Sequence, residues 1–475
     1  MIARSVGEMA KVGTERCPLR VAIIGAGPTG FYSADHLMKR SGLVVEIDMY
    51  DRLPTPFGLV RGGVAPDHQK IKTVTKAYDR IASKPHFRFF GNVEFGTDVT
   101  LELLRDYYHQ ILYCTGAQTD RDMGIPGEYL GGSHAATEFV AWYNGHPDYR
   151  DLKFDLSQER AAVIGVGNVA VDVCRILCRT PEELATSDIA DYALEALSNS
   201  RVKEVYMIGR RGPAQAAFTN PEARELGEME DADVFILPEE ASLDPLTREY
   251  LEKSQDKSII KKIEILEEFS RRGRSGKSRL LTLRFLASPV ELVGNDDGKV
   301  VKIRLVKNAL HVSGDGTLRP KSTEAFEDLD VGLVFRSVGY RGVALPGVPF
   351  HEKWGTINNV EGRVTTVDTN EPVVGEYTAG WIKRGPSGII GTNKPDALET
   401  VNCMMEDLEK GRILEPLHPE VAAVQEMVEQ RKPSSVSYED WLRLDEIEVA
   451  RGKELGRPRL KFTRVEDMLE ALGKK

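Results

Sequence analysis

Apolar residues fall in short runs broken by polar turns, and the period of the pattern changes along the chain. Leu19–Ile24 (LRVAII) is a near-continuous apolar run that ends in GAGPTG. The pattern then turns helical through 34–38, and 44–50 alternates as a strand ending at Asp51. Strand, glycine turn, helix and strand in that order predict a βαβ unit. A second unit begins near Ala161. AAVIG is its strand, VGNVAVDVCRIL its turn and helix, and VKEVYMIGRR its next strand, with an extra helical stretch in 185–199. Between the two units, 54–68 (PTPFGLVRGGVAPDH) is too rich in proline and glycine for a regular element and predicts an ordered loop. The runs 280–286, 290–293 and 300–306 predict antiparallel strands, and 333–338 a strand ending at Gly339. Beyond residue 370 comes a strand, a glycine-rich loop and a helix, which we assign back to the first domain. From His418 on, the pattern is charged and helical.

These elements predict an α/β protein with two Rossmann-like dinucleotide-binding domains and a C-terminal helical appendage. The first domain takes 19–116 and 341–417, the second 117–340, and the appendage 418–475. A length of 475 residues agrees with more than one core. Apolar residues at 41% and charged residues at 29% fit a folded globular chain. No apolar run reaches the ~18 residues that span a bilayer. A net charge of −10 argues against nucleic acid as a partner. In the tail before Leu19, Glu8 and Glu15 offset Arg4, Lys11 and Arg16, so the cytoplasm is expected rather than the mitochondrial matrix. None of the five cysteines forms a C-x-x-C pair, which leaves no iron–sulfur, zinc or dithiol framework, and no metal site is expected. Cys174 and Cys178 share one helix face and are expected to pack as small apolar groups.

The chemistry lies in the turns. In Gly25-Ala-Gly27-Pro-Thr29-Gly30 the glycines permit a tight turn, close approach of a pyrophosphate and close helix packing. The helix N-terminus adds amide donors and a positive dipole. Asp51, at the end of the next strand, suits a ribose diol. The second turn, Gly165-Val166-Gly167-Asn168-Val169-Ala170, has the same setting, but its next strand runs into Arg210 and Arg211. An acid there would repel a 2′-phosphate, whereas two guanidinia attract one. The pair therefore reads as FAD at the first site and NADPH at the second, with hydride passing between them. Without a dithiol, the electrons must leave to a one-electron protein acceptor, to oxygen or to a small molecule.

The motifs GAGPTGFY, PTPFGLVRGGVAPDH, VIGVGNVAVDVCRIL, IGRRGPAQAAFTNPEAREL, SVGYRG and GWIKRGPSGIIGTNK resemble those of the adrenodoxin reductase family, the glutathione-reductase-type ferredoxin–NADP⁺ reductases. The resemblance runs from about Leu19 to Arg412. It implies a glutathione-reductase-like fold and an NADPH:ferredoxin oxidoreductase that feeds single electrons to a small iron–sulfur protein. It further implies FAD contacts at Gly25 to Gly30, Asp51, Leu59, Val93, Trp381, Ile389 and Ile390. NADPH contacts are implied at Val166 to Val169, Arg210, Arg211 and Glu222, with Arg121 assisting, and Gly388 beside both rings. It places His68 and Asp172 as a pair near the nicotinamide, with Glu225 close by. Where the family usually has Glu, this chain has Asp51. An NADPH diaphorase or oxidase, or an electron-input subunit of a larger complex, remains as an alternative. The acceptor is expected to be an acidic ferredoxin, docking on Lys383 and Arg384 or on the basic run 271–279.

Overall fold

The computed structural model describes residues 11–474; the expectation for the tail falls partly on residues outside that range. Two sheets, one mostly and one wholly parallel, carry the architecture. In the first, the strands run in the order Asn359–Val360, Arg363–Thr365, Pro372–Thr378, Gln110–Tyr113, Leu19–Ile24, Val45–Tyr50 and Phe87–Phe90. The last five are mutually parallel. Leu19–Ile24 is buried along its whole length, as a strand covered on both faces must be. It sits where the strand order reverses, so a crevice opens beyond its C-terminal end.

The second sheet is wholly parallel, in the order Ser133–Ala135, Leu333–Arg336, Arg160–Ile164, Glu204–Ile208, Arg279–Arg284 and Ala232–Ile236. Arg279–Arg284 therefore corrects one expectation. It is a parallel strand inside this sheet, flanked by Glu204–Ile208 and Ala232–Ile236, with Leu281 and Leu283 buried on one face and Thr282 and Arg284 buried on the other. The antiparallel layer holds Ala287–Gly294, Val300–Val312 and the unforeseen Leu318–Asp330. Leu318–Asp330 escapes pattern reading because it is polar and largely exposed on both faces. The supposed loop 271–279 begins inside a helix, Lys257–Arg272. The 54–68 loop contains one short helix, Leu59–Gly62, and runs into another, Gln69–Lys72.

Cys174 and Cys178 lie in the second core, fully buried. The residues beyond His418 are no separate body. Trp441, Leu444, Phe462, Met468 and Leu472 complete one face of the first core, and Val424, Met427 and Val428 the other. Val436 also exchanges two backbone hydrogen bonds with Gly91 at the edge of the first sheet. Among the described residues, no helix is long and apolar enough to cross a membrane.

Candidate active site

The first turn is built as a cradle. Gly27 caps the helix Pro28–Met38, and a Cβ built on it would meet nothing within 4 Å, so its open side admits a ligand. Gly25 and Gly30 face inward: a Cβ on either would fall 2.6 Å or less from a backbone carbonyl oxygen, that of Cys114 or of Gly25. Thr29 is buried against Gly380. Asp51 accepts from the Ala26 amide at 2.9 Å and the Leu53 amide at 3.0 Å, which ties the turn to the end of the second strand. Burial pushes its carboxyl up while those two amides pull it down, with a net rise. Each oxygen keeps a lone pair for a ribose hydroxyl. Buried Val93 donates its amide to the Asp51 carbonyl at 3.0 Å, and Leu59 stands at the exposed start of its short helix.

The opposite wall comes from late in the chain. Trp381 opens the helix Trp381–Arg384 and donates from Nε1 to the Ser387 carbonyl at 3.1 Å, closing a loop over 385–389. Ile390 packs on the first core, whereas Ile389 is 57% exposed at the loop tip. Gly388 has φ +81° and lies against Thr392.

The second turn repeats the cradle. Gly167 caps Asn168–Cys178 and is likewise open, and Ala170 fills the third-glycine position, fully buried. Asn168 accepts from the Thr219 amide at 3.0 Å and donates to Glu222 Oε1 at 3.2 Å. The Val166 carbonyl accepts from the amides of Ala217 and Phe218, and Val169 packs on the second core. Glu222 Oε2 is buried without a partner, an acceptor waiting for a donor. Arg210 and Arg211 follow the strand Glu204–Ile208, and neither has a carboxylate within 4.0 Å among the described residues. Burial and the Arg210 charge both lower the proton affinity of Arg211, so the two cations sit together uncompensated. Exposed Arg121 reaches the Tyr340 carbonyl at 3.3 Å.

Between the two cradles, the 54–68 loop delivers His68 into the second domain. His68 Nδ1 lies 3.7 Å from Asp172 Oδ1, a looser pairing than expected, and Nε2 lies 2.6 Å from Glu225 Oε2. Arg175, absent from the sequence expectations, holds the cluster together. Its Nη1 stands 2.6 Å from His68 Nε2, 3.0 Å from Asp172 and 3.3 Å from Glu225, and its Nη2 pairs with Asp67. Nε2 can donate to Glu225 or accept from Arg175, but one nitrogen cannot do both. Burial lowers the His68 imidazole, but the Glu225 bond and the Asp172 charge outweigh it and leave it raised. Burial lifts the Asp172 carboxyl to about 7 against the pull of His68 and Arg175.

A family profile described as pyridine nucleotide-disulphide oxidoreductase matches residues 19–212. NADPH-ferredoxin reductase FprA of Mycobacterium tuberculosis (strain ATCC 25618 / H37Rv) is 44% identical over 95% of this chain and 98% of its own length. The solved structure of Mycobacterium tuberculosis FprA in complex with NADPH superposes with a TM-score of 0.90, covering 96% of this chain and 99% of that one. The mitochondrial NADPH:adrenodoxin oxidoreductase of Arabidopsis thaliana is 41% identical over 96% of this chain and 95% of its own. The chain belongs to the adrenodoxin reductase family.

Within this adrenodoxin reductase fold, the expected docking cations are not free. The Lys383 side chain is 7% exposed and pairs with Glu399 at 2.5 Å and Asp396 at 3.2 Å. Arg384 donates to the Ser387 carbonyl at 2.6 Å and lies 3.6 Å from Asp396. These cations tie the helix Trp381–Arg384 to the helix Asn393–Glu409. In the 271–279 run, Arg271 and Arg272 are paired with Glu267 and Glu268 on their own helix. Arg175 and Asp67 had a signal that was missed: a second ion one helical turn past Asp172, and an acid beside His68.

Asp172 provides one test. Its carboxyl keeps a proton in the folded chain up to about pH 7, whereas the unfolded chain loses it near 3.8. The stability of the protonated form is thus full at low pH and is lost as pH rises through 7. Asp172→Asn should therefore gain on the parent as pH rises, reaching a few °C in Tm at pH 8.5. Thermal unfolding of both proteins from pH 5 to 8.5 checks this, and a difference independent of pH contradicts it.

Proposed function

We propose that this chain is an NADPH:ferredoxin oxidoreductase that binds FAD in the first cradle and NADPH in the second. The observation that carries the reading is the pair of open dinucleotide turns, of which only the second ends in two uncompensated guanidinia. Both cradles fit their groups: Gly27 and Gly167 leave space at helix N-termini, and Glu222 keeps a buried acceptor without a partner. FAD, when bound, converts a two-electron donor into single-electron output.

The protein's part is placement. Gly25, Gly27, Thr29 and Gly30 hold the FAD pyrophosphate, and Asp51 its ribose. Leu59, Val93, Trp381, Ile389 and Ile390 line the remainder. Val166, Gly167, Asn168 and Val169 hold the NADPH pyrophosphate, Glu222 takes a ribose hydroxyl, and Arg210 and Arg211, assisted by Arg121, take the 2′-phosphate. Gly388 keeps the wall thin where the two rings meet. His68, Asp172 and Glu225, fixed by Arg175, orient the nicotinamide end and hold a proton on His68 Nε2 or Nδ1. All five cysteines are free, with no C-x-x-C pair among them, which leaves an external acceptor. That acceptor is an acidic ferredoxin-type iron–sulfur protein.

The test is a reconstitution. The protein should purify yellow, with one FAD per chain released on denaturation. NADPH-driven cytochrome c reduction should be slow until a ferredoxin is added and then rise at least about tenfold. Equal rates with and without ferredoxin would replace this reading with a diaphorase, and a colourless chain that takes up no FAD would end it.

A further inference from the structure

The segment between the helices Tyr438–Glu454 and Val465–Leu472 crosses from one dinucleotide fold to the other. Its anchor in the first fold is the helix Tyr438–Glu454. Trp441 packs edge-on against Phe57 at 5.6 Å, and the Arg61 guanidinium lies 5.1 Å over the Trp441 ring. Arg61 also grips Glu448 through two bonds of 2.8 and 2.5 Å, and Glu448 accepts the Phe462 amide at 2.8 Å. The far end reaches the second fold. Arg457 donates to the Ser187 carbonyl at 3.0 Å, to Asp191 at 2.5 Å and to the Ile189 carbonyl. Lys461 donates to the Asn144 carbonyl at 3.1 Å and the Arg61 carbonyl at 3.3 Å, and pairs with Asp188 at 3.3 Å. Further along, Thr463 accepts from Arg150 at 3.0 Å.

Asp188 is the joint. It is 1% exposed, pairs with Lys72 at 2.7 Å as well as with Lys461, and its amide donates to the Pro66 carbonyl. Pro66 and Lys72 flank Asp67 and His68, the residues that reach Asp172, Arg175 and Glu225. The crossing segment and the His68 cluster therefore fasten the same loop to the same domain from two sides. Burying two charged side chains here is a poor way to gain stability, because desolvation offsets most of the attraction. Its return is geometry: each cation fits one arrangement of the two folds.

We propose that Arg457 and Lys461 are positioning residues for NADPH oxidation, holding the two dinucleotide folds at the angle that brings nicotinamide and flavin into contact. They touch neither ring and act through Asp188 and the loop that carries His68. This rests on the two-cofactor reading above, so the parent protein must first be shown to hold FAD and to be reduced by NADPH. Reactive contact is steep in distance, with about 1 Å of misplacement costing about a hundredfold.

The test uses flavin-replete, full-length protein carrying Lys461→Met, Arg457→Met, Arg457→Lys or the milder Thr463→Val. Three quantities are read: the limiting rate of flavin reduction by NADPH in stopped flow, the Kd for NADP⁺, and hydrogen exchange of the 187–191 amides. Lys461→Met and Arg457→Met should lower the limiting rate tenfold or more, keep the Kd within twofold and lose protection at 187–191. Arg457→Lys should retain at least half the rate, and Thr463→Val should lose two- to fivefold. Should the methionine variants fail to hold flavin, Thr463→Val and Arg457→Lys decide the matter. An unchanged limiting rate despite lost protection overturns the proposal, as does a rate that falls only in proportion to flavin content.

Discussion

Alanine at both Arg210 and Arg211 should weaken NADPH binding by about a hundred- to a thousandfold and leave NADH within about threefold. The size follows from the lost contacts. A hydrogen bond to a charged partner contributes about 1.5–3 kcal/mol, and partial exposure puts this pair toward the lower end. The selectivity follows from the surroundings. With no carboxylate nearby, the two cations repel one another, and Arg211 gives up its proton more readily than usual. A 2′-phosphate relieves that repulsion and takes hydrogen bonds from both, while NADH offers nothing in its place. Either single substitution removes one donor and, with it, the relief of the repulsion, so each should cost more than half of the double loss in free energy. Equilibrium titration of the flavin-replete protein with each nucleotide measures this. Equal losses for NADPH and NADH would mean that the pair supports the fold of the strand end and not a phosphate.

Gly388→Ala should slow flavin reduction by NADPH about a hundredfold while FAD remains bound, and two reasons compete. One is the proposed approach of the rings: a methyl group at Gly388 would keep the nicotinamide from its reactive distance. The other lies within the loop. A Cβ on Gly388 would fall 2.3 Å from Thr392 Oγ1 and 3.0 Å or less from the rest of that side chain, at a φ of +81° that disfavours any L side chain. Thr392 Oγ1 donates to the Ile389 carbonyl at 2.7 Å, so the collision would move the loop tip. Pairing Gly388→Ala with Thr392→Gly separates the two. The double variant removes the collision and keeps the methyl, and it should stay close to the slow rate of Gly388→Ala. If its rate instead returns to that of Thr392→Gly alone, loop distortion accounts for the loss and the ring-contact role of Gly388 fails.

The two dinucleotide folds are readable in the sequence because their signals are local. A buried strand, an open glycine and a helix lie within a dozen residues, and the acid at Asp51 against the bases at Arg210 and Arg211 distinguishes the two sites. What escapes is non-local or hidden by average polarity. Lys383 and Arg384 look like free charge because their partners, Asp396 and Glu399, sit on the next helix, facing back. Arg175 looks like a solvated cation on a largely apolar helix, yet it is 1% exposed, and two of its partners, Asp67 and His68, arrive from a loop more than a hundred residues earlier. Leu318–Asp330 pairs along one edge with Val300–Val312 but buries so little that no alternation marks it. The charged surface of the last helices likewise conceals the few residues, Trp441 and Leu444 among them, that reach the core.

The way the first sheet is assembled bears on how the protein is made. The second sheet draws all its strands from one unbroken stretch, from Ser133 to Arg336, and its core closes once that stretch has left the ribosome. The first sheet begins at Leu19, gains three strands only after Asn359 and receives the last of its core from Leu472. A nascent chain therefore carries a finished inner fold and an open outer one while everything beyond Arg336 is synthesised, on the order of ten seconds at ordinary elongation rates. For that interval the apolar face later covered by Trp441, Phe462 and Met468 has no cover, and it is there that an unfinished chain is most prone to associate with others.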